Sequence, residues 1–413
     1  MKINPLAIAC LNAIILPALA FHPSFGKRAG GGQMCQTQVK NINLRHASVT
    51  DESTEAITLG RQELSPAYVK AKDYVMTTVR AAAPPGFPME KWDGFIEHFV
   101  TEYGQTIQES GKYSADFFAS NMLSVLQFGF KYGLPSSPDH YTFDTTHKAI
   151  REPFDFYEWG CNFFGPAMDL DNSVVIGVEN LRNAFDQVKA GDNVVFLANH
   201  QSEADPQVMS KLLETVGFGK EASEITYVAG HKVRTDVLAV PFSMGRNILC
   251  IHSKKHIDAD PETKADKTRE NLKTMSAMQQ LMKQGGFSLW VAPSGGRDRR
   301  NVATGEIPIA PFDQKTVDMF RLMANKSKTP THFYPLSMVT YYLCPPPDTV
   351  EASTGEARNV RYEPVGIACG KAVESVGGLE SRHLFTEHAQ QVVEEGYQLL
   401  LKAISEKKSR NMK

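Results

Sequence analysis

The sequence predicts an α/β protein in which a small N-terminal helical bundle domain precedes a larger α/β domain, whose mixed, largely parallel sheet is flanked by helices. Three observations carry that expectation. Residues 51–133 hold apolar positions at helical spacing, beyond residue 134 short β-branched runs alternate with helical stretches, and the first fifty residues stand apart in charge. A length of 413 residues is comfortable for two cores, and 42% hydrophobic with 22% charged residues is ordinary for soluble globular chains, which excludes fibrous and disordered classes.

The first fifty residues contain five Lys or Arg and no Asp or Glu. Lys2 leads into an apolar run, Leu6 to Ala20, too short to span a bilayer and closing on the small-x-small pattern Ala18-Leu19-Ala20. Residues 1–20 therefore have the form of a signal peptide, and residues 21–50, basic and glycine-rich, that of a transit peptide. A signal peptide feeding a transit peptide at Phe21 resembles the two-part presequences of complex plastids, so the expected destination is the plastid stroma. A plain secreted protein is the alternative. Against it, the six cysteines (10, 35, 161, 250, 344 and 369) show neither a disulfide frame nor a CxxC or Cys/His cluster of zinc spacing, which predicts reduced thiols and no metal. Without the five leader cations, 39 basic residues face 46 acidic ones. Bulk charge gives no reason to expect nucleic acid as a partner, and an anion site must be local.

Residues 51–133 are assigned to the helical domain. "TEAITLGRQELSPAYVKAKDYVMTTVRAAA" and "SADFFASNMLSVLQFGFKYG" carry apolar residues three and four apart, and "PPGFP" breaks the helical run between them. Residues 134–413 are assigned to the α/β domain. There "SVVIGV", "NVVFLA", "EITYVAG", "NILCIHS" and "FSLWVAP" alternate with stretches such as "ENLRNAFDQVKAG" and "KTRENLKTMSAMQQLMKQGG". Strands separated by helices predict a largely parallel sheet, and functional groups then gather beyond the carboxyl ends of its strands.

An H-x4-D spacing occurs three times: His46 with Asp51, His200 with Asp205, and His231 with Asp236. Context separates them. His46 lies in the leader, and His231 follows "ITYVAG" in what suits an exposed strand-to-helix turn. His200 follows the apolar run Val194 to Ala198 and should emerge at the end of a buried strand. Five residues of helix turn through about 500°, so the pair needs a loop folding back over a helix start, with Asp205 as N-cap and Pro206 at the first helical position. A histidine oriented by a carboxylate can take a proton from a hydroxyl near neutral pH. On spacing alone, a merely structural pair, with Asp205 capping a helix and His200 bonding a loop carbonyl, stands beside that reading. No G-x-S-x-G is present, so the hydroxyl is assigned to a substrate rather than to a nucleophile of the chain.

A second strand end, "WVAPSGGRDRR", closes in Gly295-Gly296 followed by cations. In an extended segment Arg297 and Arg299 point one way and Asp298 another. Two converging guanidinium groups suit a phosphate or carboxylate. A third, "IHSKKHI", supplies Lys254, Lys255 and His256. Alone it is a solvated basic turn; three strand ends of one sheet together describe a hydroxyl beside a phosphate.

"NHQSEADP", "GRNILCIHSKKH", "APSGGRDR" and "HFYPLSM", in this order, resemble the four blocks of the glycerol-phosphate acyltransferases. With "HKAIREPFDFY" and "SVVIGV" they resemble in particular the soluble plastidial glycerol-3-phosphate acyltransferases, over nearly all of the chain from about Asp51. The resemblance implies transfer of a fatty acyl group from acyl-acyl carrier protein to the sn-1 hydroxyl of glycerol-3-phosphate. It implies His200 as catalytic base, Asp205 as its partner, and Lys255, His256, Arg297 and Arg299 as the residues that hold the phosphate. No metal and no cofactor is implied beyond the acyl-acyl carrier protein or acyl-coenzyme A that serves as co-substrate. Partners are then glycerol-3-phosphate and the acyl carrier protein, while transient contact with the envelope membrane is left open. One departure is "AGHKVRTDV", where the family pattern leads us to expect Asp at position 231; His231 and Asp236 receive no catalytic role. Backbone N–H groups at the helix start after Asp205 are candidate oxyanion donors.

Overall fold

The computed structural model describes residues 61–346, 357–374 and 381–411, except for the side chains of 254 and 255. The signal peptide at 1–20, the leader at 21–50, His46 and the start of the helical segment lie outside the described residues.

Three helices open the described chain: α1 (Pro66–Ala82), α2 (Met89–Ser110) and α3 (Ala115–Phe128). Their ends follow local chemistry. Pro66 occupies the first turn of α1, where its missing N–H is no loss. Gly111 ends α2 with φ 64°, and the Ser114 hydroxyl caps α3 by accepting from Phe117 N. The apolar stripes of these helices (Val75, Val100, Tyr103, Phe118, Val125) share one hydrophobic cluster with Phe163 and with sheet residues Phe196 and Leu336. Tyr103 stacks on Phe163 at 4.3 Å and its hydroxyl donates to the Phe163 carbonyl at 2.9 Å.

The sheet has eight strands: β1 (Thr146–His147), β2 (Val174–Ile176), β3 (Asn193–Ala198), β4 (Thr226–Ala229), β5 (Asn247–Cys250), β6 (Ser288–Val291), β7 (Thr331–Val339) and β8 (Gly366–Cys369). Their order is β1-β5-β4-β6-β3-β7-β8-β2. The five strands from β5 to β7 run parallel to their neighbours, while β1 pairs β5 and β8 pairs β7 antiparallel. This is the mixed, largely parallel sheet that the alternating pattern predicts. Strand β7 was not among the runs singled out by composition, and Pro335 in its middle explains why, because proline argues against a central strand.

Strand β3 is buried on both faces. Val194, Phe196 and Ala198 pack into the cluster that holds Phe185, Val208 and Leu212, and Val195 and Leu197 pack into a second with Met278, Met282, Val317 and Phe320. All five are fully buried, and each Val, Leu or Phe so placed contributes roughly 1.5–3 kcal/mol. The strand that delivers His200 is thus held from both faces of the sheet. Helices before and after it, α5 (Val178–Lys189) and α6 (Asp205–Thr215), cover one face, and α11 (Lys264–Gln284) and α12 (Gln314–Ser327) the other. Between α3 and α12 also lie α4 (Phe156–Phe164), α7 (Gly219–Glu224), α8 (Lys232–Thr235), α9 (Ala239–Met244) and α10 (Lys254–Asp258), and α13 (Arg382–Asn411) closes the fold. Among the described residues no helix is long and apolar enough to cross a membrane. The four described cysteines, 161, 250, 344 and 369, are buried free thiols.

Candidate active site

Two residues past the end of β3, the His200 imidazole donates from Nδ1 to Asp205 Oδ2 at 2.8 Å. The imidazole side chain is 27% exposed and Asp205 only 1%. With the Nδ1 proton committed to a carboxylate, Nε2 is the lone-pair nitrogen, and the ring can accept a proton there while Asp205 stabilises the cation formed. Asp205 is not the N-cap expected of it. Ala204 occupies that position, α6 starts at Asp205, and Pro206 follows within the first turn. The carboxylate turns back over the loop instead of down the helix, because the loop offers more donors. Oδ2 accepts from Gln201 N (2.9 Å) as well as His200, and Oδ1 accepts from Ser202 N (3.1 Å), Ser202 Oγ (3.0 Å) and Thr340 Oγ1 (2.6 Å).

The loop is also tied to β7. Asn199 Oδ1 accepts from Met338 N at 2.7 Å and its Nδ2 donates to the Met338 carbonyl, while Gln201 Oε1 accepts from Thr340 N at 2.9 Å and Tyr341 N. Trp290, on β6, meets the His200 ring edge-on at 5.7 Å. Asn199, Gln201, Thr340 and Trp290 were not singled out from the sequence. Asn199 interrupted an apolar run beside the histidine, the one local sign of a built loop; Thr340 lies 135 residues from the carboxylate it serves and carried none.

The arginine loop after β6 is joined to this one. Gly295, at φ 69°, turns the chain, and Asp298 N donates to the His200 carbonyl at 2.6 Å. Side chains alternate as an extended segment requires. Asp298 is fully buried, accepting from Asn199 Nδ2 at 3.0 Å and Ala310 N at 2.9 Å, whereas Arg297 is half-buried and Arg299 exposed. Burial pushes the Asp298 carboxyl above its ordinary range, opposed by those hydrogen bonds. The third strand end lies further along the same edge, since β5 is separated from β6 by β4. The Ser253 hydroxyl caps α10, which carries Lys255 and the half-buried His256; the Lys255 side chain lies outside the described residues.

The pair with equal spacing behaves differently. Asp236 caps α9 by accepting from Leu238 N and Ala239 N, and it pairs with Arg358, which also pairs with Glu203. His231 turns instead to His252 and His256, its ring 4.8 Å and 5.1 Å from theirs. Burial, with the nearby His252 and Arg234, pushes His231 down to about 4. The intervening residues account for the contrast: α8 carries His231 and Asp236 at opposite ends, whereas the loop after β3 is free to close.

Comparison with known proteins gives concordant results. Residues 173–339 match the Acyltransferase family model. The chain is 36% identical over 322 residues to "Glycerol-3-phosphate acyltransferase, chloroplastic" of Arabidopsis thaliana, covering 76% of this chain and 69% of the relative. It is likewise 36% identical over 321 residues to the chloroplastic glycerol-3-phosphate acyltransferase of Phaseolus vulgaris, covering 76% and 68%. A crystal structure of the 1-acyl-sn-glycerophosphate acyltransferase from Thermotoga maritima aligns with a TM-score of 0.35 and 14% identity over 80% of this chain and 97% of that one, too distant to bear on the argument.

Proposed function

The chain belongs to the glycerol-3-phosphate acyltransferases, enzymes of acyl transfer, and on that premise we propose that it moves a fatty acyl group from acyl-acyl carrier protein to the sn-1 hydroxyl of glycerol-3-phosphate. In this reading His200 Nε2 takes the hydroxyl proton as the oxygen attacks the thioester carbonyl. A C–O bond forms, the C–S bond breaks, and the pantetheine sulfur leaves with the proton returned by the imidazolium. Asp205 holds the ring in the tautomer that this step needs. Lys255, His256, Arg297 and Arg299 hold the substrate phosphate, so that the hydroxyl arrives within reach of the base. No acyl-enzyme forms. General-base assistance of this kind contributes about 10² to 10⁴ in rate.

One observation supports this reading above the rest: the imidazole bonded to Asp205 and the loop of Arg297 and Arg299 are joined by a main-chain hydrogen bond between Asp298 and His200. An acidic carrier protein suits the cations of "SKKHIDADPETKADKTRE", although acids interleave them. The relatives' names say chloroplastic, and the two-part leader supports delivery to the stroma of a complex plastid. Purified protein supplied with glycerol-3-phosphate or lysophosphatidic acid, each with acyl-acyl carrier protein or acyl-coenzyme A, tests the proposal. The expected result is 1-acylglycerol-3-phosphate, formed fastest from the carrier-protein donor. Preferential acylation of lysophosphatidic acid would overturn it, and saturable glycerol-3-phosphate binding with no product from any donor would mark a binding protein.

A further inference from the structure

Three histidines meet at the sheet edge beyond β4 and β5, and sheet geometry brings them there. Ala229 of β4 is in register with Cys250 of β5, and the chain runs two residues past each to His231 and His252. Neighbouring parallel strands lie about 4.8 Å apart, which brings those two imidazoles side by side; their centroids are 4.8 Å apart and the rings are tilted by 32°. His256 follows His252 by four residues, on α10, and its ring lies 5.5 Å from that of His252 at an interplanar angle of 11°. One ring nitrogen from each of the three lies within 4.8 Å of the others.

The polar atoms here are arranged for a guest. His252 is 6% exposed and its Nε2 bonds Glu270 Oε2 at 2.9 Å, which leaves Nδ1 as the lone-pair nitrogen. That Nδ1 and the Nδ1 of His231 are buried with no hydrogen-bond partner among the described residues. Burying an imidazole nitrogen unpaired is unfavourable, so both are placed to gain from a partner. A histidine that gives its second ring nitrogen to a carboxylate is the outer-shell arrangement of metal-binding imidazoles. Glu270 is itself fixed by Arg234 at 3.1 Å, and Asn271 grips the His252 backbone at both N (2.8 Å) and O (2.9 Å).

We propose that His231, His252 and His256 form a binding site for a divalent transition-metal ion, with an open fourth position. Three neutral imidazoles select zinc, cobalt, nickel or copper over magnesium and calcium, which prefer oxygen. Bond lengths of about 2.0–2.1 Å require the nitrogens to close to about 3.4 Å from one another. The half-buried His256, on a five-residue helix, can make that movement. The ion would cross-link the segments after β4 and β5. Cysteine arithmetic missed the site because it uses no sulfur, and the H-x3-H of His252 and His256 lacks its third ligand until the strands pair.

The test uses the full-length, untagged protein, stripped with chelator and titrated with Co²⁺. One equivalent should bring up the visible absorption of tetrahedral cobalt, raise the melting temperature, and be displaced by Zn²⁺, with Mg²⁺ producing neither effect. His231→Ala and His256→Ala, both at half-buried positions where folding is verified by circular dichroism, should abolish the bands, and Glu270→Gln should weaken affinity about 10–100-fold. The proposal is overturned if saturable tetrahedral bands are absent, or if they persist unchanged in both alanine variants, which would place the ion elsewhere. His256 is also assigned to the substrate phosphate; with one ring nitrogen on the ion its other nitrogen remains for that contact, and because these readouts need no substrate they are read separately from acyl transfer.

Discussion

The backbone N–H of Asp298 donates to the His200 carbonyl at 2.6 Å, joining the loop that carries His200 to the loop that carries Arg297 and Arg299. The buried Asp298 carboxyl reinforces the joint through Asn199 and Ala310. Asp298→Ala leaves those two donors unpaired at about 1–3 kcal/mol each. Urea unfolding should report a loss of about 3 kcal/mol, and activity should fall although Asp298 is assigned no contact with substrate.

His200→Ala removes the proposed base while leaving the cations in place. Turnover with the carrier-protein donor should drop by about 10² to 10⁴-fold, with glycerol-3-phosphate binding by calorimetry largely retained. Near-normal turnover in this variant would show that another group takes the proton.

Asp205 and Thr340 separate orientation from charge. Asp205→Asn takes a charged acceptor away from five donors, and kcat should fall by about 10² to 10⁴ while unfolding free energy falls by about 2–4 kcal/mol. Thr340→Val removes only one of the five. It should lower kcat a few-fold with KM unchanged, and equal losses in the two variants would mean that the network acts only on stability.

Arg297→Ala and Arg299→Ala should each raise KM for glycerol-3-phosphate. A charged hydrogen bond worth about 1.5–3 kcal/mol corresponds to roughly 10–100-fold. KM for the acyl donor should be unaffected in both, and the effect should shrink at high salt.

His147 supplies a pH test remote from catalysis. Burial holds its folded pKa below the ordinary histidine value of 6.5, against the hydrogen bond to the Arg246 carbonyl, and Tyr141 contacts its other nitrogen. Below pH 6.5 the unfolded chain takes up a proton that the folded chain does not, so this stabilisation is complete above that pH and is lost as pH falls. His147→Gln should be less stable at pH 7.5 and show a shallower decline of melting temperature on acidification than the parent chain.

Much of the site could be read from residues near one another in the chain. The apolar run Val194 to Ala198 announced a buried strand, the five-residue spacing gave its histidine a carboxylate, and the diglycine followed by Arg-Asp-Arg announced a turn with its arginines on one side and Asp298 on the other, because each is a property of a short segment. Tertiary structure decided what spacing could not. His200 closes on Asp205 whereas the equally spaced His231 does not reach Asp236, since one pair flanks a free loop and the other a helical turn. Strand order put Asp298 against Asn199 and Thr340 against Asp205, 99 and 135 residues apart. Register between β4 and β5 brought His231 beside His252. Those contacts arise from how strands pair across the sheet, and no local pattern in the chain specifies which strand lies beside which.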